Sequence, residues 1–296
     1  MSRITLLDGG MGQELVHRAG DRPTPLWSTQ VMVDHPGLVR AVHDDYFAAG
    51  ATIATVNSYA LHLDRLLGTP LEGQQASLIA LSLAEAQAAR EAHGAGRIAG
   101  SIGPLIASYR PDIHPAHDIA VPLYAELARG LATGCPLLIC ETVASVDHAR
   151  AALAGAILTG LPVWLALTVD DGNGTRLRSG EAIADVIEVA QQAEAVLVNC
   201  STPEAIPAAL DILAKTDKPF GAYANGFTRI TEGFLQDKPT VDTLSARQDL
   251  GPAAYAAHAM AWIAQGATIV GGCCEVGPAH ILELAHQLRA AGHEVV

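Results

Sequence analysis

Short apolar runs rich in β-branched residues alternate along this chain with longer Ala-rich segments. The runs are continuously apolar rather than alternating between apolar and polar positions. That pattern is typical of strands covered on both faces, as in parallel sheets. It predicts eight strands, which in chain order cover residues 4–10, 52–59, 97–104, 137–143, 162–169, 195–201, 220–226 and 268–275.

The segments between these runs repeat their apolar residues at helical spacing. Within residues 78–91, leucine and alanine side chains share one face, whereas Glu85, Arg90 and Glu91 fall on the opposite face. The same spacing predicts further helices over residues 36–49, 123–133, 146–158, 181–192, 204–214 and 255–265. Several of them are followed by glycines, which are predicted to form C-terminal caps: Gly50, Gly134, Gly160 and Gly266.

An eightfold alternation of strand and helix over 296 residues predicts an α/β fold, a single (β/α)8 TIM barrel that forms one domain from residue 1 to residue 296. The alternative is an open, doubly wound sheet. Against it, the segment Asp8-Gly9-Gly10-Met11-Gly12 after the first strand lacks the G-x-G-x-x-G spacing of a dinucleotide-binding turn. Residues 228–249 are predicted to be an elaborated loop rather than a linker.

The composition of the chain limits the classes of partner that it is expected to bind. Half of the residues are hydrophobic and 17% are charged, which excludes a disordered chain. The net charge of −13 argues against nucleic acid and anionic membrane surfaces as partners. No apolar stretch suitable for a signal peptide is found near residue 1, and five cysteines do not resemble a secreted disulfide scaffold. We therefore expect a cytoplasmic protein without membrane spans that acts on small molecules.

Three cysteines fall at predicted strand ends. Cys200 ends the sixth strand, and Cys273 and Cys274 end the eighth. The carboxyl ends of barrel strands meet at one mouth, and three thiolates suit zinc while leaving a coordination position open. Adjacent residues of a regular strand face opposite sides, so we expect Gly271-Gly272 to allow an irregular backbone there. The alternative is that all three are buried core cysteines.

The chain resembles the homocysteine S-methyltransferases, zinc enzymes that include betaine-dependent and S-methylmethionine-dependent forms. The resemblance spans nearly the whole sequence and is carried by Leu7-Asp8-Gly9-Gly10-Met11-Gly12, His35-Pro36, Asn57-Ser58-Tyr59, Gly100-Ser101-Ile102-Gly103-Pro104, Glu141-Thr142, Val198-Asn199-Cys200 and Gly271-Gly272-Cys273-Cys274. It implies a TIM barrel that holds Zn²⁺ on Cys200, Cys273 and Cys274 and methylates homocysteine to methionine. The family often has Tyr-Pro-Asn where this chain has Tyr223-Ala224-Asn225, so we expect the donor-side loop to differ.

The substrate's amino acid end also needs partners. Asp8 and Glu141 are carboxylates at strand ends and suit an ammonium group, while the backbone at Gly9 can approach the substrate carboxylate closely. The resemblance implies the same roles for these three residues. The alternatives are a helix cap for Asp8 and an ion pair within the barrel for Glu141.

Aromatic residues are candidates for binding a cationic methyl donor. Trp27 lies in a Pro-rich loop, and Tyr59 ends the second strand, where its hydroxyl could also reach the metal in the absence of substrate. Asn225 is a candidate for a substrate hydrogen bond. The alternatives are a loop anchor for Trp27 and a turn residue for Asn225.

The favoured donor is a small sulfonium, S-methylmethionine first and S-adenosylmethionine second. A sulfonium leaves as a neutral thioether and needs no general acid, and the predicted barrel occupies the length that a folate- or cobalamin-binding domain would need. Betaine is the rival donor, although betaine-dependent relatives carry a long C-terminal extension. Two further hypotheses keep the same pocket, namely a methyltransferase for a different small thiol or selenol and a non-catalytic thiol or metal sensor. The sequence leaves the oligomeric state open.

Overall fold

A computed structural model describes residues 1–20, 26–228 and 245–296. For Trp27 it describes the backbone but not the side chain. Within these residues nine parallel strands form one sheet in the order β2-β3-β4-β5-β6-β7-β8-β1-β9. The strands are β1 Arg3–Leu6, β2 Ile53–Thr55, β3 Arg97–Ile102, β4 Leu138–Val143, β5 Val163–Leu167, β6 Ala195–Asn199, β7 Phe220–Tyr223, β8 Ile269–Val270 and β9 Glu294–Val295.

The curled sheet closes between β1 and β2. A parallel bridge joins Leu7 to Ile53, and the backbone N–H of Asp8 donates to the Ile53 carbonyl at 3.0 Å. On the other side of β1, Thr5 and Leu6 pair with the two residues of β8. The predicted α/β barrel is therefore confirmed, and the end of β1 lies at the seam.

The ninth strand is an element that the sequence pattern does not predict. Its two residues pair with the first half of β1, where Arg3 lies opposite Glu294 and Ile4 opposite Val295. A two-residue strand carries too short a periodicity to be recognised from sequence. β1 is thus shared, with its first half on β9 and its second half on β8.

Helices cover the outside of the sheet. The α-helices in the described parts of the chain are α1 Met11–Ala19, α2 Trp27–Asp34, α3 Leu38–Ala49, α4 Leu63–Leu66, α5 Gln75–His93, α6 His117–Ala132, α7 Val146–Ala156, α8 Ile187–Ala190, α9 Ile206–Leu213, α10 Pro252–Ala264 and α11 Pro278–Ala290. Short 3-10 helices cover Pro111–Ile113, Ile157–Thr159 and Ile183–Val186. No helix among the described residues is long and apolar enough to cross a bilayer.

Two predicted helices differ from the observed ones. α6 begins at His117 rather than at residue 123 and includes Pro122, although proline usually marks a helix boundary. The helix predicted over residues 181–192 is mostly replaced by the 3-10 turn Ile183–Val186 and the four-residue α8. Neither difference moves a strand, so the barrel topology is unaffected.

The core has two layers. Buried side chains inside the barrel form one cluster that includes Leu7, Ile53, Ile139, Leu197 and Ile269. A larger cluster fills the space between sheet and helices. The inner cluster also contains Tyr223 and contacts Cys273, so it forms the floor beneath the carboxyl ends of the strands.

Candidate active site

A cavity opens at the carboxyl ends of the strands, where the fold of a TIM barrel places chemistry. Its wall includes Asp8, Tyr59 and Glu141 together with the cysteines at positions 200, 273 and 274. These residues come from the ends of β1, β2, β4, β6 and β8. Most of the residues singled out from the sequence therefore meet in one place.

The three cysteine sulfurs form a compact group, all within 4.8 Å of one another. Cys200 and Cys273 are paired as a disulfide with their Cα atoms 5.7 Å apart. The Sγ atom of Cys274 lies 3.9 Å from that of Cys200 and 4.0 Å from that of Cys273. A metal binds thiolates, so coordination requires the reduced pair. Three sulfur donors at one cavity wall fit a soft or borderline ion such as zinc.

The backbone that leads to the adjacent Cys273 and Cys274 is irregular, in agreement with the expectation from Gly271-Gly272. β8 ends at Val270, and the Gly272 N–H then donates to the Asp8 carbonyl at 2.8 Å. A Cβ atom at Gly272 would collide with the side chain of Val276. The Cys273 N–H donates to the Ala224 carbonyl at 2.9 Å. These bonds hold the segment that carries Cys273 and Cys274, both of which line the cavity. In a regular strand the two adjacent side chains would face opposite sides.

Cys200 reaches the cavity through a left-handed backbone with φ of 47°. This conformation is uncommon for residues other than glycine. By contrast, Cys135 and Cys140 are buried among the helices and the outer face of the sheet and lie away from the cavity. Burial raises the pKa of each of these two thiols to about 12.

Asp8 is held by a single neighbouring residue. Its Oδ2 accepts the Thr55 N–H at 2.7 Å, and the Thr55 hydroxyl lies 3.0 Å from its Oδ1. Burial raises the pKa of Asp8 to about 7 in spite of these bonds. A nearby cation would favour the ionised form of this carboxyl group.

Glu141 has an unused acceptor inside the cavity. The side chain is buried, and its Oε1 has no hydrogen-bond partner among the described residues. Burial, followed by the negative charge of Asp8, raises the pKa of Glu141 to about 8, although a hydrogen bond with Ser101 lowers it in part. A buried acceptor without a partner is costly. An ammonium group placed between the two carboxylates would satisfy Glu141 and stabilise both charges.

A bulge aims Glu141 inward. The β4–β5 register shifts between Cys140 and Val143, and Thr142 has a φ of 58°. The side-chain amide of Asn199 accepts the Thr142 N–H at 3.0 Å and donates to the Thr142 hydroxyl at 3.1 Å. Asn199 therefore supports the strained residue beside Glu141 while directly preceding Cys200.

The glycines after β1 allow a close backbone approach. A Cβ atom at Gly10 would come within 2.7 Å of the Cys273 carbonyl oxygen, and one at Gly9 would collide with the Val276 carbonyl. The Gly10 N–H already donates to Val276 at 2.9 Å. Both glycines line the cavity, together with Gly12 and Gln13 of α1.

The aromatic and amide candidates are placed differently from one another. Tyr59 lines the cavity, with its hydroxyl 2.8 Å from Ser108 Oγ. Burial raises the pKa of Tyr59 to about 12. Asn225 is buried off the cavity wall, and its Oδ1 accepts the Phe227 N–H at 3.3 Å. Trp27 begins α2, but its side chain lies outside the described residues, as does most of the loop predicted over residues 228–249.

Sequence reasoning did not single out three aromatic residues of the wall. Tyr109 and Phe227 pack against the cysteine group, and the buried Tyr223 hydroxyl has no partner among the described residues. Tyr109 and Phe227 follow predicted strands and Tyr223 lies within one, in a chain with only 4% aromatic residues. That scarcity was the available signal, but the long loop that carries Tyr109 gave no reason to place it at the mouth.

Comparison with known proteins agrees with this geometry. The family model described as homocysteine S-methyltransferase matches residues 5–288. A homocysteine S-methyltransferase of Escherichia coli is 32% identical over 303 residues, covering 95% of this chain and 94% of its own. Homocysteine S-methyltransferase YbgG of Bacillus subtilis is 29% identical, with coverages of 97% and 95%. The metallated form of the E. coli homocysteine methyltransferase MmuM superposes with a TM-score of 0.81 at 28% identity, over 97% of this chain and 96% of that one.

Proposed function

The chain belongs to the homocysteine S-methyltransferase family, and from this premise we propose that it transfers a methyl group from a small sulfonium donor to the thiol of homocysteine, forming methionine. The donor is S-methylmethionine or S-adenosylmethionine. The observation that carries the proposal is one cavity that combines three cysteine sulfurs with two buried carboxylates, one of which has an unused acceptor.

The carboxylates divide the work of binding the amino acid end. Asp8 is anchored by Thr55, whereas Glu141 Oε1 has no partner in the described protein and is free to accept from an ammonium group. A hydrogen bond to a charged group contributes about 1.5–3 kcal/mol. Pairing with the ammonium would also lower the pKa of both carboxyl groups, because each charge favours the other.

The metal of this proposal is Zn²⁺, which Cys200, Cys273 and Cys274 would hold in their reduced state. When bound, zinc would keep the acceptor thiol deprotonated near neutral pH. The chain itself supplies the fixed positions of the three sulfurs through the left-handed Cys200 and the irregular segment that follows Val270.

A sulfonium donor suits the groups at the cavity wall. Its departure as a neutral thioether requires no proton, and Asp8 and Glu141 are already assigned to the ammonium. Aromatic side chains, Tyr59 and Tyr109 among them, line the cavity and can contact a cation. Betaine would also sit against aromatic rings and is therefore included in the test.

The experiment is methionine formation from homocysteine by the zinc-loaded protein, with S-methylmethionine, S-adenosylmethionine and betaine assayed in parallel. We expect turnover with one or both sulfonium donors. Turnover with betaine alone would overturn the choice of donor. Metal-replete protein that binds homocysteine but uses none of the three donors would contradict methyl transfer.

Three accompanying expectations stay predictions. They are that residues 1–296 form one homocysteine-binding domain, that the protein is cytoplasmic, and that its partners are its small-molecule substrates rather than nucleic acid or membrane. The reaction itself requires no partner beyond homocysteine and the donor.

A further inference from the structure

Two aromatic side chains form the cavity wall beside the sulfurs. Tyr109 and Phe227 are buried in one cluster with Cys200, against which Cys273 and Cys274 also pack. Tyr109 belongs to the loop between β3 and α6 and has a left-handed φ of 61°. A tyrosine in that conformation needs surrounding contacts that fix it.

Arg178 supplies such a contact. Its guanidinium carbon lies 5.3 Å from the centroid of the Tyr109 ring. Its Nη1 and Nη2 donate to the two carboxylate oxygens of Asp171 at 2.8 and 2.9 Å. Nη2 also lies 3.4 Å from the carbonyl oxygen of Cys200. One guanidinium group therefore contacts both the aromatic wall and the main chain of a cysteine in the sulfur group.

The charge of Arg178 is balanced within this arrangement. The side chain is only 12% exposed and pairs in bidentate fashion with Asp171, which also accepts the Thr202 N–H at 2.9 Å. The Arg178–Asp171 pair beside the Tyr109 ring is therefore close to neutral. Tyr109 lines the cavity, and an aromatic ring attracts a cation.

The geometry of methyl transfer determines the position of the donor relative to the acceptor sulfur. The acceptor sulfur forms the new bond to the methyl carbon, and the bond from that carbon to the donor sulfur breaks with its electron pair staying on the neutral thioether. Reaction requires the acceptor sulfur and the methyl carbon to lie about 3–3.5 Å apart. Because the proposed function places the acceptor thiol at the cysteine group, the positive sulfur of the donor must approach that group, against which Tyr109 and Phe227 pack.

We propose that the ring of Tyr109 binds the sulfonium centre of the methyl donor, and that Arg178 is a positioning residue that holds this ring in a fixed relation to Cys200. The assignment rests on the proposed function and names the donor subsite within it. Asp8 and Glu141 keep the role that the proposed function gives them, binding the amino acid end of the acceptor.

The test compares Tyr109→Leu with Tyr109→Phe, which keeps the ring. Binding of S-methylmethionine to the zinc-loaded protein is measured by calorimetry without homocysteine, alongside separate KM values for donor and acceptor. A desolvated cation–π contact is worth about 2 kcal/mol, so Tyr109→Leu should weaken donor binding about 10- to 30-fold. Tyr109→Phe should bind within about threefold of the unmodified protein, and the KM for homocysteine and the zinc content should stay unchanged in both variants.

Arg178→Gln should raise the donor KM and weaken zinc retention in competition with a chelator, and Arg178→Lys should restore these only in part because it lacks the planar fork. The matched control is Arg18→Gln, since Arg18 pairs with Glu14 and Asp45 on the outside of α1. It should change neither quantity.

Unaltered donor binding in Tyr109→Leu, or absence of sulfonium binding by the unmodified protein, would overturn the assignment. Equal losses for donor and homocysteine in Tyr109→Leu would also overturn it, because they indicate a collapsed wall. Sulfonium binding that depends on Tyr109 without any methionine formation would sustain the subsite and contradict the proposed function instead.

Discussion

Replacing Glu141 by glutamine removes one charge from the cavity and leaves the shape of the side chain nearly unchanged. In the free protein Glu141 Oε1 has no partner among the described residues, and burial with the charge of Asp8 raises the pKa of Glu141 to about 8. The carboxylate is thus poorly stabilised until an ammonium arrives. We expect Glu141→Gln to impair function and to improve stability at the same time.

Both magnitudes follow from the surroundings of the carboxylate. A charged hydrogen bond is worth about 1.5–3 kcal/mol, so kcat/KM for homocysteine should fall roughly 10- to 150-fold. For stability, the folded-state pKa lies above the ordinary value of 4.5. The folded protein therefore loses stability as the pH rises from about 4.5 through about 8. Glutamine removes this loss. The free energy of unfolding of Glu141→Gln should therefore exceed that of the unmodified protein by on the order of 2–5 kcal/mol above pH 8 and by almost nothing near pH 4.

The assay pairs steady-state kinetics in homocysteine with denaturant unfolding at several pH values. Glu181→Gln is the control, because Glu181 accepts from Val146 N and Ser179 Oγ away from the cavity. Kinetics equal to those of the unmodified protein would remove Glu141 from substrate binding. A variant less stable than the unmodified protein above pH 8 would refute the claim that burial makes the ionised form of Glu141 costly in the free protein.

Three further predictions concern the sulfurs, the turn that carries two of them, and the pH dependence. Cys273→Ala should lower the metal content, measured by elemental analysis, from about one zinc per chain to well below one; full zinc together with full activity would remove Cys273 from the ligand set. Gly272→Ala should destabilise the fold by roughly 1–3 kcal/mol in denaturant unfolding, because its Cβ atom meets Val276; unchanged unfolding would show that the turn relaxes freely. In the unmodified protein kcat/KM for homocysteine should rise with pH as Asp8 and Glu141 ionise, with pKa values of about 7 and about 8, and this rise should change form in Glu141→Gln; a flat profile between pH 6 and 8 would contradict the pairing.

The apolar runs predict the order of the barrel strands but place the carboxyl ends of most of them too late, β4 being the exception. The strand predicted over residues 52–59 in fact ends at Thr55, and the strand predicted over residues 268–275 ends at Val270. Hydrophobic patterning marks burial, and the residues beyond these ends remain buried or half-buried at the mouth although their strand pairing has stopped. Several candidate site residues, among them Asp8, Tyr59 and Cys200, lie in the stretches between an observed strand end and the predicted one, whereas Glu141 lies within β4.

What the sequence did not reveal depends on backbone conformations and on long-range approach. No pattern announces the bulge at Thr142 or the left-handed backbone of Cys200 and Tyr109, because non-glycine residues seldom adopt it. Arg178 lies 69 positions beyond Tyr109 in the sequence, and only the folded loops bring them together. Such contacts leave no periodic trace.

Asn199 has a consequence for anyone who wishes to redesign this protein. Its amide bonds to Thr142 beside Glu141 on β4, and the residue that follows it after β6 is Cys200, so side-chain hydrogen bonds connect the carboxylate end of the cavity to the sulfur end. Substitutions made to suit a different amino acid at one end will shift the sulfurs at the other. Changes at positions 142 and 199 should therefore be strongly non-additive, and a library that varies the two positions one at a time will miss the productive pairs.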